Sequence, residues 1–333
     1  MLITFVLHLF TIVVGVAAQH PIRPRAPGVA FRLTPDYGIA SIYLKDGTSV
    51  PVAQVQGSPE YQAFMRKPRA PAPKEDTTLC QLLAPGLHLL TPLFGSVTSV
   101  CRNSNIGSTL GVMQNLKTAV EAYLGTNICF AALSLDVVED HKIDVAQEAL
   151  QALGLRQVLP TAQAAKSVVL AHRPDTTPKF DEEPWVVLAI DYSTHWYNVG
   201  LLTMGEAGIV DPVPDFTSGP KIDEEYQLDA IEHSLSHILA NPPSGVYLPE
   251  RIHQLVVYGD DAKNESLRNL LTKMLNTDLV RDARVSSSIF DGTNFTAHAA
   301  HVHMDTVDFE MNVKPAWGCQ WRSSFYSDTQ NEL

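Results

Sequence analysis

The chain has 333 residues, 45% of them hydrophobic and 18% charged, with 24 basic against 36 acidic side chains. That length and apolar fraction suit a packed core of one large domain or two lobes, and exclude wholesale disorder. A formal net charge of -12 excludes a general nucleic-acid binder, which needs a concentrated Lys/Arg surface. Four cysteines are too few for a disulfide-built miniprotein.

Leu2 to Val16 is an apolar run broken only by Thr4, His8, Thr11 and Gly15. Val16-Ala17-Ala18 supplies the small residues that a signal peptidase reads, so residues 1–18 are expected to be a removable signal and 19–28 a Pro-rich leader. The run is shorter than the roughly 20 residues that span a bilayer comfortably. No Lys or Arg precedes it, whereas Arg23 and Arg25 follow it, so an uncleaved segment would anchor the chain with its body in the cytosol. Cleavage predicts a secreted or lumenal protein with no stable membrane association. In that compartment Asn264-Glu265-Ser266 and Asn294-Phe295-Thr296 are N-glycosylation triplets. Cys80, Cys101, Cys129 and Cys319 allow up to two bridges in three connectivities. Cys80 with Cys101 is the preferred pair, and Cys129, inside an apolar strand-like run, reads as a buried free thiol.

Along the body, Tyr37 to Leu44 and Val50 to Val55 read as strands around the turn Lys45-Asp46-Gly47-Thr48. Residues 66–78 form a Pro-rich charged linker. Gly111 to Leu124 is an amphipathic helix with Val112, Leu116, Val120, Tyr123 and Leu124 on one face, stopped by Gly125. Ile128 to Leu135 follows as a buried strand. A helix capped by Asp144 runs to Leu153, and Pro160-Thr161 opens a third, small-residue helix. Beyond a loop at 172–184, Trp185 to Ile190 and Trp196 to Leu202 read as adjacent strands joined by a tight turn. A polar loop over 211–225, a helix from Tyr226 to Leu239, a strand from Leu255 to Tyr258 and a final helix from Asn264 to Leu275 complete the pattern. Strands and helices alternate in both halves, which argues for an α/β chain of two related lobes, 29–175 and 176–333.

These segments, in this order, resemble the actin-like ATPase superfamily, nearest the nucleotide-binding domain of the 70-kDa heat-shock chaperones and their divergent fungal relatives. Glu121-Ala122-Tyr123-Leu124-Gly125 is similar to the family's helix ending in Glu-Ala-Tyr-Leu-Gly. Pro160-Thr161-Ala162 with Ala164-Ala165 resembles the interlobe helix. Ile190 to Leu202 lines up on the second phosphate loop, and Val256 to Gly259 on the strand before the adenosine loop. The resemblance implies a two-lobed, ribonuclease H-like fold. Fewer than about sixty residues follow residue 275, too few for a chaperone's substrate-binding domain and lid, and Trp317 to Arg322 looks like the aromatic closing segment of the fungal relatives.

The residues that should do the family's chemistry are largely replaced. Asp-Leu-Gly-Thr-Thr-Tyr becomes Arg32-Leu33-Thr34-Pro35-Asp36-Tyr37, which puts Arg32 where a metal-side carboxylate belongs, a proline without an N–H in the cradle, and Asp36 against phosphate. In the second loop Asp191 survives, but Gly-Gly-Gly-Thr becomes Ser193-Thr194-His195-Trp196. Leu159 replaces the polarising Glu, and Gly259 alone remains of a glycine pair, followed by Asp260 and Asp261. Phosphoryl transfer depends on positioning and charge neutralisation around Mg²⁺, so the expectation is a catalytically inactive module with no cofactor, binding a protein partner that the sequence does not name. The alternative is a weak nucleotide-binding chaperone relative, holding Mg-ATP with Asp191, Ser193, Thr194, Gly259 and Asp260. A third class is a metal-dependent hydrolase using His298, His301, His303 and Asp305, a group read as an exposed strand or loop. His233 and His237, four apart on a helix, read as part of a polar face.

Overall fold

A computed structural model describes residues 26–67, 104–213, 224–242, 252–306 and 309. The chain is an α/β protein with two mixed sheets. The first contains β1 (Gly28–Leu33), β2 (Tyr37–Tyr43), β3 (Ser49–Gln56), β4 (Phe130–Leu135), β5 (Arg156–Gln157) and β6 (Ala162–Gln163). Its order is β3-β2-β1-β4-β5, with β6 also on β4. The second contains β7 (Trp185–Ser193), β8 (Trp196–Met204), β9 (Val210–Pro212), β10 (Ile252–Tyr258) and β11 (Arg284–Val285), in the order β11-β10-β7-β8-β9. Both follow one plan: an antiparallel three-stranded meander, extended from its first strand by parallel strands.

The helices are α1 (Pro59–Arg66), α2 (Ser104–Leu124), α3 (Asp140–Ala152), α4 (Ala164–Ala171), α5 (Glu224–Ala240), α6 (Glu265–Met274), α7 (Thr277–Arg281) and α8 (Asp291–His303). Strand alternation sorts their partners. Val29, Phe31 and Leu33 of β1 pack with Val112, Met113 and Leu116 of α2 and Val145 and Ala149 of α3, while Ala30 faces Ala297 and Ala300 of α8. In β7, Val186, Leu188 and Ile190 meet Ile231 and Leu235 of α5 and Leu267 and Leu271 of α6. Val187 and Ala189 meet Ala165, Val168 and Val169 of α4. The molecule is therefore layered, with α4 and α8 packed together between the two sheets. Small residues permit that closeness: a Cβ on Gly292 of α8 would lie 2.6 Å from Val168 Cγ2 of α4. Thr296 Oγ1 lies 3.0 Å from Ser167 Oγ across the two helices.

Several expectations change. The leader does not extend to residue 28, since Ala26 is buried and β1 begins at Gly28; its one charge in an apolar strand hid that strand. The linker begins only after α1, whose N-cap Ser58 accepts from the Tyr61 N–H, and residues 68–78 lie outside the described ones. Helix α2 already includes Ser104, seven residues before Gly111, and Tyr123 on its expected apolar face is exposed. Asp144 lies inside α3, whose N-cap is Glu139. Pro160-Thr161 leads into the short strand β6 before α4. Residues 210–212 form a strand rather than loop. The helix after Asn264 is not the last, because α7 and α8 follow. Across the expected boundary at 175/176, α4 packs on the second sheet and α8 on the first. No helix among the described residues is long and apolar enough to cross a membrane. The expected signal, the Cys80–Cys101 pair and Trp317 to Arg322 all lie outside the described residues.

Candidate functional site

The matched sheet plans bring corresponding strand ends together. Arg32 lies near the end of β1, on the same inward face as Ala30, and Asp191 near the end of β7, on the same inward face as Val187 and Ala189. Asp136 follows β4, the strand that pairs with β1. These three side chains form one buried ionic cluster. Arg32 Nε donates to Asp136 Oδ1 at 2.7 Å and Nη2 donates to Asp136 Oδ2 at 3.1 Å and to Asp191 Oδ2 at 3.0 Å. Its Nη1 reaches the Ile289 carbonyl at 3.3 Å, and the guanidinium lies 5.6 Å from the Tyr258 ring centroid. The side chains are 3%, 1% and 0% exposed, so the pairing operates away from the screening of water.

One guanidinium serves two carboxyl groups there, so two full negative charges would outweigh its single positive one. Burial alone would disfavour the Arg32 cation, but the Asp136 and Asp191 charges overrule it and hold its proton more tightly than usual. Burial pushes Asp136 above the usual carboxylate range, opposed by Arg32. Burial and the Asp136 charge push Asp191 well above it, because Asp136 takes two of the guanidinium's bonds and Asp191 one. Ser193 Oγ donates to Asp191 Oδ1 at 2.8 Å.

Around this cluster, the neighbouring turns direct their amides inward. Thr34 N–H donates to the Tyr37 carbonyl at 2.9 Å. The Asp36 and Tyr37 N–H groups donate to Thr34 Oγ1 at 3.2 and 2.9 Å, and Pro35 has none. In the β7–β8 turn, Thr194 N–H donates to Asp260 Oδ1 at 2.7 Å. Asp260 N–H points at Ser193 Oγ at 3.4 Å and Asp261 N–H at the Tyr192 carbonyl at 3.1 Å. Gly259 has φ of +112°, and a Cβ there would lie 2.2 Å from the Tyr192 carbonyl and 2.5 Å from Asp191 Oδ1. Glycine is required because the β10 turn lies directly on the β7 strand. At the rim, Asp36 pairs with Arg66 and its Oδ2 lies 3.1 Å from His195 Nδ1, joining the β1–β2 and β7–β8 turns.

All five residues expected to hold nucleotide, Asp191, Ser193, Thr194, Gly259 and Asp260, thus come together: Asp191 is bonded to Arg32 and Ser193, Asp260 to Ser193 and Thr194, and Gly259 packs against Asp191. A divalent cation shared by Asp136 and Asp191 would have to displace the guanidinium already between them, and a phosphate would meet Asp36 and Asp260 instead of free amides. The arrangement does not fit a magnesium–nucleotide. Sequence reasoning missed Asp136 and Arg66. Asp136 was marked by its position, a carboxylate at the end of the six-residue apolar run Phe130–Leu135, in a chain whose only charged β1 residue is Arg32.

The other candidates separate from this site. His298, His301 and His303 are on a helix, not an exposed strand or loop. His301 is buried with Nδ1 2.6 Å from the Ala26 carbonyl, and His298 packs against Tyr43. His233 and His237 are exposed on α5. Among the described residues no group of three His, Cys, Asp or Glu side chains is arranged to hold a metal ion. Cys129 is not a free thiol: it is disulfide-bonded, with its partner outside the described residues. Asn264 caps α6, and Asn294 lies within α8. No protein-family model matches the chain, and no curated protein matches it.

Proposed function

We propose that this chain is a secretory-pathway protein with an actin-like, heat-shock-chaperone-type fold that has lost nucleotide hydrolysis and serves as a binding module for a protein partner. The observation that carries the reading is the Arg32 guanidinium seated between Asp136 and Asp191, at the place where the family's cation and phosphates are handled. An internal cation joins the two halves permanently, where a nucleotide-dependent protein would need an exchangeable one. The twofold repetition of the sheet plan, with α4 and α8 between the sheets, supports the fold assignment. The Cys129 disulfide supports an oxidising compartment, where such bridges persist.

Titration calorimetry of the full mature chain with Mg-ATP tests the loss of function. The expected result is no saturable heat. Micromolar, magnesium-dependent binding would favour the weak-ATPase reading instead.

A further inference from the structure

Asn264 and Asn294 carry the same kind of acceptor triplet, and the fold treats them differently. Asn264 has extended backbone, φ -60° and ψ 126°, immediately before α6. Lys263, Glu265, Ser266 and Arg268 around it are exposed. Its carboxamide divides its roles. Oδ1 accepts from the Ser266 and Leu267 N–H groups at 2.9 and 3.2 Å, while Nδ2 donates to Asp261 Oδ2 at 2.7 Å. Helix capping rests on the oxygen. Nδ2 carries two hydrogens, so exchanging one for a sugar leaves the other for Asp261 and leaves the cap untouched.

Asn294 offers none of this. It lies in the first turns of α8, the helix packed between the first sheet and α4. Its carboxamide oxygen is buried without a hydrogen-bond partner. Thr296, the third residue of its triplet, is 3% exposed, and its Oγ1 lies 3.0 Å from both the Gly292 carbonyl, to which it donates, and Ser167 Oγ. Thr293 and Ala297 beside it are fully buried. Asn294 as a whole is half-buried, so the obstacle is local: its carboxamide oxygen and the third residue of its triplet are enclosed where α8 packs on α4.

We propose that Asn264 is glycosylated and Asn294 is not. The proposal rests on the lumenal reading above. The transfer joins Asn264 Nδ2 to the anomeric carbon of an oligosaccharide carried on a lipid pyrophosphate. The carbon–oxygen bond to the pyrophosphate breaks, the lipid pyrophosphate departs with the electron pair, and the amide proton passes to a base of the transferase. Because the chain is modified as it emerges, the fold acts as the arbiter afterwards: a glycan at Asn264 is compatible with folding, and one at Asn294 is not.

The test is expression of the full chain in a eukaryotic secretory host, with endoglycosidase mobility shifts, peptide mass spectrometry, and protease protection of the chain in isolated microsomes. The expected result is a single-step shift that disappears in both Asn264→Ser and Ser266→Ala. Ser keeps a capping oxygen at 264 without setting a second carboxylate against Asp261, and Ser266→Ala keeps the whole cap, so a lost shift reports the glycan and not the fold. Mass spectrometry of the wild type should place the sugar on the Asn264 peptide and leave the Asn294 peptide bare. A two-step shift, a shift surviving both variants, or a glycosylated Asn294 peptide would overturn the proposal. A protease-protected chain with no shift would overturn the site alone, whereas a chain that protease digests in intact microsomes overturns the lumenal reading as well.

Discussion

Two ionic clusters join the same pair of hairpin turns, and they differ in what surrounds them. In the interior, Arg32 holds Asp136 and Asp191 with all three side chains at most 3% exposed. At the rim, Asp36 holds Arg66 and His195; its own side chain is 4% exposed, but those of Arg66 and His195 are 16% and 47% exposed. The residue types are alike, but only the rim carboxylate has partners that water reaches. Removing a partner from a buried pair leaves an uncompensated charge, which costs far more than an exposed pair contributes. The interior cluster therefore sets whether the two sheets can coexist, and the rim cluster adjusts how their turns meet.

The largest loss is expected from Arg32→Met, which leaves Asp136 and Asp191 in the interior with no cation between them. The expected loss is about 3–5 kcal/mol of unfolding free energy, read from the urea midpoint. Adding Asp136→Asn and Asp191→Asn to the same chain should return part of that loss, because the deficit comes from unpaired charge and not from missing volume. A single Arg32→Met variant no less stable than a rim variant would show that the interior cluster does not carry the joint.

Gly259→Ala comes next. Its backbone has φ of +112°, and the added methyl would press on the Tyr192 carbonyl, a main-chain atom that cannot rotate away. The expected cost is about 1–3 kcal/mol, again from the urea midpoint. Loss of stability much below that range would mean that the β10 turn can lift off β7, and that Asp191 is less enclosed than the geometry indicates.

The pH dependence sharpens the same contrast. Burial, with the Asp136 charge beside it, pushes Asp191 well above the usual carboxylate range, so the folded chain keeps a proton that the unfolded chain releases near pH ~4. The stability this group contributes is complete below that pH and is lost as pH rises towards the folded value, the reverse of an ordinary salt-bridged carboxylate. Asn at 191 does not titrate. The urea midpoint of Asp191→Asn should therefore gain on that of the wild type between about pH 4 and pH 7. A constant gap, or one that moves the other way, would identify Asp191 as fully ionised in the folded state.

The legible parts of this molecule were those written in local periodicity. Helix α2, the β7–β8 hairpin and the strand before Gly259 follow from apolar spacing and from glycine stops, and the absence of glycine from the turn Ser193-Thr194-His195 is visible in the sequence. What the sequence hid depends on distant pairing. Arg32 interrupts the pattern of β1 because its partners, Asp136 and Asp191, lie 104 and 159 residues away. Helix α8 reads as a tail because nothing local says that its alanines belong against Ala30 and Ala132. Cys129 reads as a free thiol for the same reason: a bridge is a fact about a remote residue.

The smallest expected effect belongs to the rim. In His195→Ala the contact with Asp36 at 3.1 Å disappears, but Asp36 keeps its pair with Arg66, so no buried charge is stranded. Exposed pairs contribute about 0.2–1 kcal/mol and are screened by salt. The stability difference between His195→Ala and wild type should fall within that range and shrink further in about 1 M salt. Arg32→Met, measured beside it, should keep nearly all of its deficit under the same salt, because its charges lie where mobile ions do not reach. If the two deficits respond to salt alike, the division between interior and rim fails and Arg32 is more accessible to solvent than its burial indicates.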